Sequence, residues 1–222
     1  GFGQIAQSYS GDDLLKKYVV TGAKAIFKKK LVDIGEGNVS IRVPNKMEFL
    51  MTPTFNQYER MTKDDVIHLT FDGEQLSQGK KTSTEYRLHS GIYRIRQNAN
   101  CIIHTHSPYA TMLSILRRDI PILMEEMVIL LGGPIKVSEF AIAHTDNIAK
   151  KAVRALNKTN GILLANHGVL VCGRNMSHTV KMAEVVEKMA QIYWGALQIG
   201  EPYTISKEAC VKLMDDFNSN FS

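Results

Sequence analysis

An α/β layered domain is what the pattern of this chain predicts, and three observations carry that expectation. Segments with apolar residues at helical spacing alternate along the chain with segments that read as strands. No repeat, low-complexity tract or Pro/Gly/Ser-rich linker interrupts them, so residues 1–222 read as one domain. Apolar residues make up 44% of the chain and charged residues 22%, a balance that lets a chain of 222 residues bury a core.

The first element is a helix over 12–30, where Leu14, Leu15, Tyr18, Val19, Ala23, Ile26 and Phe27 form one stripe behind an acidic start. Residues 38–45 and 47–53 alternate like two strands joined at Pro44–Asn45. The segment 83–97 predicts a helix capped by Ser83 or Thr84. Residues 101–106 read as a strand, and 109–118 return to helix. The run 162–173 reads as a buried strand pair with a turn inside it. The clearest element spans 177–200: Val180, Ala183, Val186, Ala190, Tyr193 and Leu197 recur at helical spacing, and Gly200 with Pro202 ends it.

Charge and composition narrow the function classes. The formal charge of +5 is mild and spread out, which indicates no nucleic-acid surface. The triplet Lys28–Lys30 follows an amphipathic stretch and reads as a solvated helix end, where cations complement the dipole. The three cysteines, Cys101, Cys172 and Cys210, are odd in number and show no metal-type spacing; a reducing, cytoplasmic compartment is expected. No apolar run reaches the roughly 18 residues that span a bilayer, so no membrane role is expected. The start at Gly1 rather than Met leaves open a targeting segment ahead of "GFGQ".

One stretch asks for chemistry. In "CIIHTH" the residues His104 and His106 share a strand face while Thr105 points away, because side chains alternate along a strand. Two imidazoles on one face fill two corners of a tetrahedral zinc site, or else they are hydrogen-bonded polar residues. His167 sits at a strand's end before Gly168; it is a third ligand or a turn histidine bonded to backbone. Glu85, in the first turn of its helix, is a fourth ligand or a carboxylate placed there by the dipole. His68, His89, His144 and His178 read as structural residues on helix faces or loops.

Taken together, "GEGNVSIR", "MTPT", "STEYRLHSGIY", "CIIHTHSPYATMLSIL", "ILLANHGVLVCG" and "AEVVEKMAQIYWGALQIGEP" resemble the class II aldolase/adducin family over nearly the whole chain. That family includes fuculose-1-phosphate and rhamnulose-1-phosphate aldolases and ribulose-5-phosphate 4-epimerase. The resemblance implies a three-layer α/β/α fold with a central mixed, largely antiparallel sheet. It implies one Zn2+ per chain, held by His104, His106, His167 and Glu85, with Glu85 also the acid/base. It implies a small-molecule substrate, in particular a sugar phosphate, whose phosphate meets Asn38, Thr54, Ser83 and Thr84. It also implies a homotetramer with active sites at subunit boundaries.

The activity implied first is retro-aldol cleavage of a ketose 1-phosphate to dihydroxyacetone phosphate and an aldehyde. Alternatives are a methylthioribulose-1-phosphate dehydratase, a sugar-phosphate epimerase and a non-catalytic adducin-like module. The tail after Tyr203 lacks the His/Tyr pair of the epimerase branch, and a scaffold has no need of all four ligands. Three features depart from the pattern. Phe55 stands where glycine usually follows T-P-[ST], Glu36 sits inside "GEGN", and "MEEMVILLGG" offers Glu125 and Glu126 where some members carry a tyrosine.

Overall fold

The computed structural model describes residues 11–54 and 57–221; the "GFGQ" start and Phe55 lie outside them. Its helices are α1 (Gly11–Lys28), α2 (Tyr86–Ile95), α3 (Pro108–Ile115), α4 (Asp146–Leu156), α5 (Met176–Ile199) and α6 (Lys207–Phe221). Its strands are β1 (Asn38–Arg42), β2 (Glu48–Met51), β3 (Ile67–Thr70), β4 (Cys101–Thr105), β5 (Lys136–Val137), β6 (Gly161–Leu164) and β7 (Gly168–Gly173), and a π-helical turn covers Met127–Leu131. Beyond the elements that the pattern marks, the structure adds β3, β5, α4, α6 and the π turn.

The strands form one sheet in the order β3-β2-β1-β4-β7-β6-β5. Every neighbouring pair is antiparallel except β5 with β6, so the sheet is mixed and largely antiparallel. Period-2 alternation gives it two apolar faces. Val39, Ile41, Ile103, Val169 and Val171 enter the core that also holds residues of α1, α3 and α5. Phe49, Met51, Ile102, Ile162 and Leu170 enter a second core with residues of α2 and α4. Helices on both faces make the three layers.

Local chemistry sets the ends of elements. On α1 the residues Val19, Gly22, Ala23 and Ile26 are buried, with Asp12 and Asp13 in the first turn and Lys28 in the last. Lys28–Lys30 are exposed, as a solvated helix end requires. The β1–β2 hairpin turns at Asn45, whose φ of 61° lies in the left-handed region that Asn tolerates. Asn175 caps α5, its side chain accepting the His178 N–H at 2.9 Å.

Two expected boundaries need correction. The helix expected over 109–118 stops at Ile115, because Arg117 has φ 55° and the N–H groups of Arg117 and Arg118 return to Ser114 and Leu113. Those two bonds are a Schellman closure, which consumes the last free carbonyls. The second correction concerns Ser83 and Thr84. The helix starts at Tyr86 and its N-cap is Glu85, so Glu85 stands ahead of the first turn and the two hydroxyl residues lie further upstream.

Candidate metal centre and active site

Three chain segments meet at one end of the β1–β4–β7 ladder. Strand β4 ends at Thr105, and His106 follows one residue past it. The β6–β7 hairpin closes through Ala165, Asn166 and His167, with Asn166 at φ 54° and His167 N–H bonded to Leu164 O at 3.0 Å. Gly168 lets this turn approach the end of β4, since a Cβ there would lie 2.2 Å from Thr105 O and 3.1 Å from His106 Cδ2. Gly37, at φ 68°, plays the same part before β1, where a Cβ would lie 2.6 Å from His104 O. Past His106, α3 is held by Glu187 of α5, whose carboxylate accepts the N–H groups of Tyr109 and Ala110 at 3.3 and 2.9 Å.

The result is a cluster. His104 Nε2 lies 3.1 Å from His106 Nε2 and 3.1 Å from His167 Nε2. Glu85 Oε1 lies 2.8 Å from His167 Nε2 and 3.4 Å from His104 Nε2. A tetrahedral ion with bonds of roughly 2.0–2.1 Å separates neighbouring ligand atoms by about 3.3 Å. His104 donates Nδ1–H to Val169 O at 2.8 Å, which leaves its Nε2 bare and facing the other rings. Bare ring nitrogens pointed at one another repel unless a cation or a shared proton lies between them. The histidine triad could therefore hold a metal ion, and the donor set fits zinc.

Electrostatics supports that reading. His104 is fully buried. Burial would raise the Glu85 carboxyl, but His104 and His167 override it and hold Glu85 well below the usual carboxylate range. Burial, then His104 and His167, push His106 down to about 4. Burial works against the charged form of His104 too, yet Glu85 outweighs it and raises that ring. A carboxylate anion facing neutral or shared-proton imidazoles suits a divalent cation.

The expected phosphate groups lie on the Glu85 side. The bridge between Pro53 and Thr82 is antiparallel, so Thr54 lies beside Lys81, its N–H bonded to Lys81 O at 3.2 Å, and away from Ser83 and Thr84. Ser83 is nearly buried and its hydroxyl accepts the Glu85 N–H at 3.3 Å; Thr54 is half-buried and Thr84 exposed. Asn38 is buried, with its amide bonded to Glu85 and His89, which leaves one N–H for a ligand. A cleft of about 930 Å³ opens from His106 on the other side. Lys24, Lys28 and Lys30 face Asp33, Glu36 and Glu59 there, so its formal charges balance. Glu36 does line this cleft, with its carboxylate accepting the Asp33 N–H at 3.0 Å. Glu125 is exposed and Glu126 pairs with Lys188 at 3.2 Å.

Residues 17–194 match the model of the family described as Class II Aldolase and Adducin N-terminal domain. The chain belongs to that family. It is 30% identical over 183 residues to a 5-methylthioribulose-1-phosphate/5-deoxyribulose-1-phosphate aldolase of Rhodospirillum rubrum, covering 82% of this chain and 81% of that protein. It is 31% identical over 184 residues to the L-fuculose phosphate aldolase of Escherichia coli K12, covering 82% and 84%. A solved L-fuculose 1-phosphate aldolase superposes with a TM-score of 0.88 at 28% identity, over 94% of this chain and 97% of that one. Within this family member, His89 is the residue next to the Glu85–Asn38 pair that sequence reasoning set aside. Its signal was the four-residue spacing from Glu85, which sets His89 one turn into α2 from its N-cap.

Proposed function

We propose that this chain is a zinc-dependent lyase that cleaves a ketose 1-phosphate, or a similar hydroxy-ketone, to dihydroxyacetone phosphate and an aldehyde. The observation that carries this reading is the convergence of three imidazole Nε2 atoms and the Glu85 carboxylate on one point. His104, His106 and His167 would hold zinc, with Glu85 as a fourth ligand in the absence of substrate. Bound zinc would supply a Lewis acid for the negative charge that develops on the ketose fragment.

The remaining work falls to the chain. In a retro-aldol step the hydroxyl β to the carbonyl loses its proton and becomes the aldehyde oxygen. The electron pair of the broken carbon–carbon bond passes to the α carbon, which must then gain a proton. Glu85 would carry it. Asn38 holds Oε2 at 2.6 Å, so Oε1, which faces His104 and His167, is the oxygen that exchanges with substrate. Thr54, Ser83, Thr84 and the spare N–H of Asn38 hold the phosphate away from the acidic groups of the cleft.

The assembly proposed is a homotetramer with the site near a subunit boundary, read from family likeness. Light scattering showing a stable monomer at micromolar concentration would contradict it. No helix among the described residues is long and apolar enough to cross a membrane; the cytoplasm is the compartment proposed.

The test is a panel of ketose 1-phosphates, including fuculose, 5-deoxyribulose and methylthioribulose 1-phosphates, given to zinc-loaded protein. Dihydroxyacetone phosphate should appear with at least one of them. Loss of water from methylthioribulose 1-phosphate without cleavage would assign a dehydratase instead. Full metal loading with no turnover of any kind would leave an adducin-like module.

A further inference from the structure

Behind Glu85 and Asn38 the polar row continues through His89, Ser40 and Tyr93, which the proposed reaction does not use. Asn38 Nδ2 lies 2.6 Å from Glu85 Oε2, and Asn38 Oδ1 meets His89 Nε2. His89 Nδ1 lies 2.6 Å from Ser40 Oγ, and Ser40 Oγ lies 2.7 Å from Tyr93 Oη. Asn38 is 1% exposed, and Ser40, His89 and Tyr93 are wholly buried. Polar groups in such a place are costly to bury unless each is paired, so their arrangement is specific.

Two periodicities keep the row in register. Asn38 and Ser40 are two apart on β1, and Glu85, His89 and Tyr93 are four apart along the start and body of α2. Two strand residues advance roughly 6.6 Å and four helix residues roughly 6.0 Å, so the two columns stay in step over the four contacts.

Every proton in the row has one allowed place. A carboxylate only accepts, so the Asn38 atom facing Glu85 is the nitrogen and the atom facing His89 is the oxygen. That oxygen also only accepts, so His89 carries its proton on Nε2. Its Nδ1 is therefore bare and accepts from the Ser40 hydroxyl, whose oxygen in turn accepts from Tyr93 O–H. The chain runs one way, from Tyr93 to Glu85. Flipping the Asn38 amide would set oxygen against carboxylate and N–H against N–H.

We propose that His89 is a positioning residue: a buried neutral imidazole that locks the amide of Asn38 and, through it, the rotamer and exposed oxygen of Glu85. The ring is itself fixed, lying parallel to Phe49 at 6.5 Å between centroids with an interplanar angle of 5°. This proposal rests on the reading of Glu85 as acid/base, and one part of its test does not.

That part is the tautomer. The chain has seven histidines, so nitrogen NMR of protein labelled at histidine identifies His89 by its loss in His89→Gln. A neutral Nε2–H ring is expected; an Nδ1–H or doubly protonated ring at neutral pH overturns the proposal. The second part compares variants. His89→Leu removes the donor and should lower kcat and the affinity for zinc, each by about 10–100-fold, as loss of a group that orients a metal ligand does. His89→Gln keeps an N–H for Asn38 and should recover most of both. A folded His89→Leu with unchanged kcat and zinc affinity overturns the proposal, and so does a folded His89→Gln no better than His89→Leu. If His89→Leu does not fold, the tautomer decides. Should Glu85→Gln leave turnover intact, the acid/base reading falls while the tautomer result still stands.

Discussion

Strands β1 and β4 run side by side, and their two ends have opposite characters. At one end Asn38 pairs with His104; at the other Ile41 pairs with Cys101. Both ends border a cavity, and the one at the apolar end, about 1030 Å³, is the larger. Its floor is Leu15, Ile41, Cys101 and Val180, and burial pushes the Cys101 thiol up to about 12, which keeps it inert. At the other end the buried groups are a carboxylate, an amide, a hydroxyl and imidazoles, each with a partner. Convergence of oriented polar atoms marks the site, and cavity size does not.

Substitutions at the two ends sharpen that contrast. The largest effect is expected from Glu85→Gln, which keeps shape but removes the proton-accepting charge. Turnover of zinc-loaded protein should fall by roughly 10²–10⁴ while metal content largely survives on three histidines. A variant that, once reloaded, turns over normally would make Glu85 a ligand only.

Next comes pH. Burial first, and then His104, push His89 down to about 3, against an ordinary value of 6.5. In that window the unfolded chain binds a proton that the folded one refuses. Stability of metal-free protein should therefore fall on the order of a few kcal/mol as pH drops from 6.5 toward 4. His106, held at about 4, acts in the same direction. His104, whose folded value is raised, alters stability only above pH 6.5. Thermal unfolding at pH 6.5, 5.5 and 4.5 checks this, and rising stability on acidification would contradict it.

Gly168→Ala should cost about 1–3 kcal/mol, because the new Cβ meets the carbonyl oxygen of Thr105 and must push the His167 turn aside. Weaker zinc binding should accompany that loss in a chelator titration. The smallest effect belongs to the apolar end. Ile41→Val should cost about 0.5–1.5 kcal/mol by denaturant unfolding and leave turnover unchanged. A loss of turnover there would erase the contrast between the ends.

The same contrast explains what could be read in the sequence. The histidine pair at His104 and His106 was legible because a strand's two-residue period is rigid, and Gly168 after His167 marked a turn at a strand's end; the close approach to Thr105 shows only in the structure. The sheet and its two apolar faces follow from the same alternation. The end of α3 was not legible, since nothing local in Arg117 announces a left-handed residue. Ser83 and Thr84 look like helix caps, yet the helix begins after Glu85, because the carboxylate is drawn to the histidines. Helix α4 was missed although Ile148, Ala149, Ala152 and Leu156 form a stripe, whereas β5 is two residues long and depends on pairing with β6. The contacts of His89 with Asn38 and Ser40 were not legible, because its own helix does not show which strand faces it.

A metal centre built from His104, His106 and His167 at this end of the sheet underlies the proposed activity. Metal analysis of purified protein beside a His104→Ala/His106→Ala variant tests it most directly. About one zinc per chain is expected in the first and almost none in the second, because one histidine and one carboxylate cannot hold the ion alone. Equal metal content in the two would show that these histidines do not hold the ion.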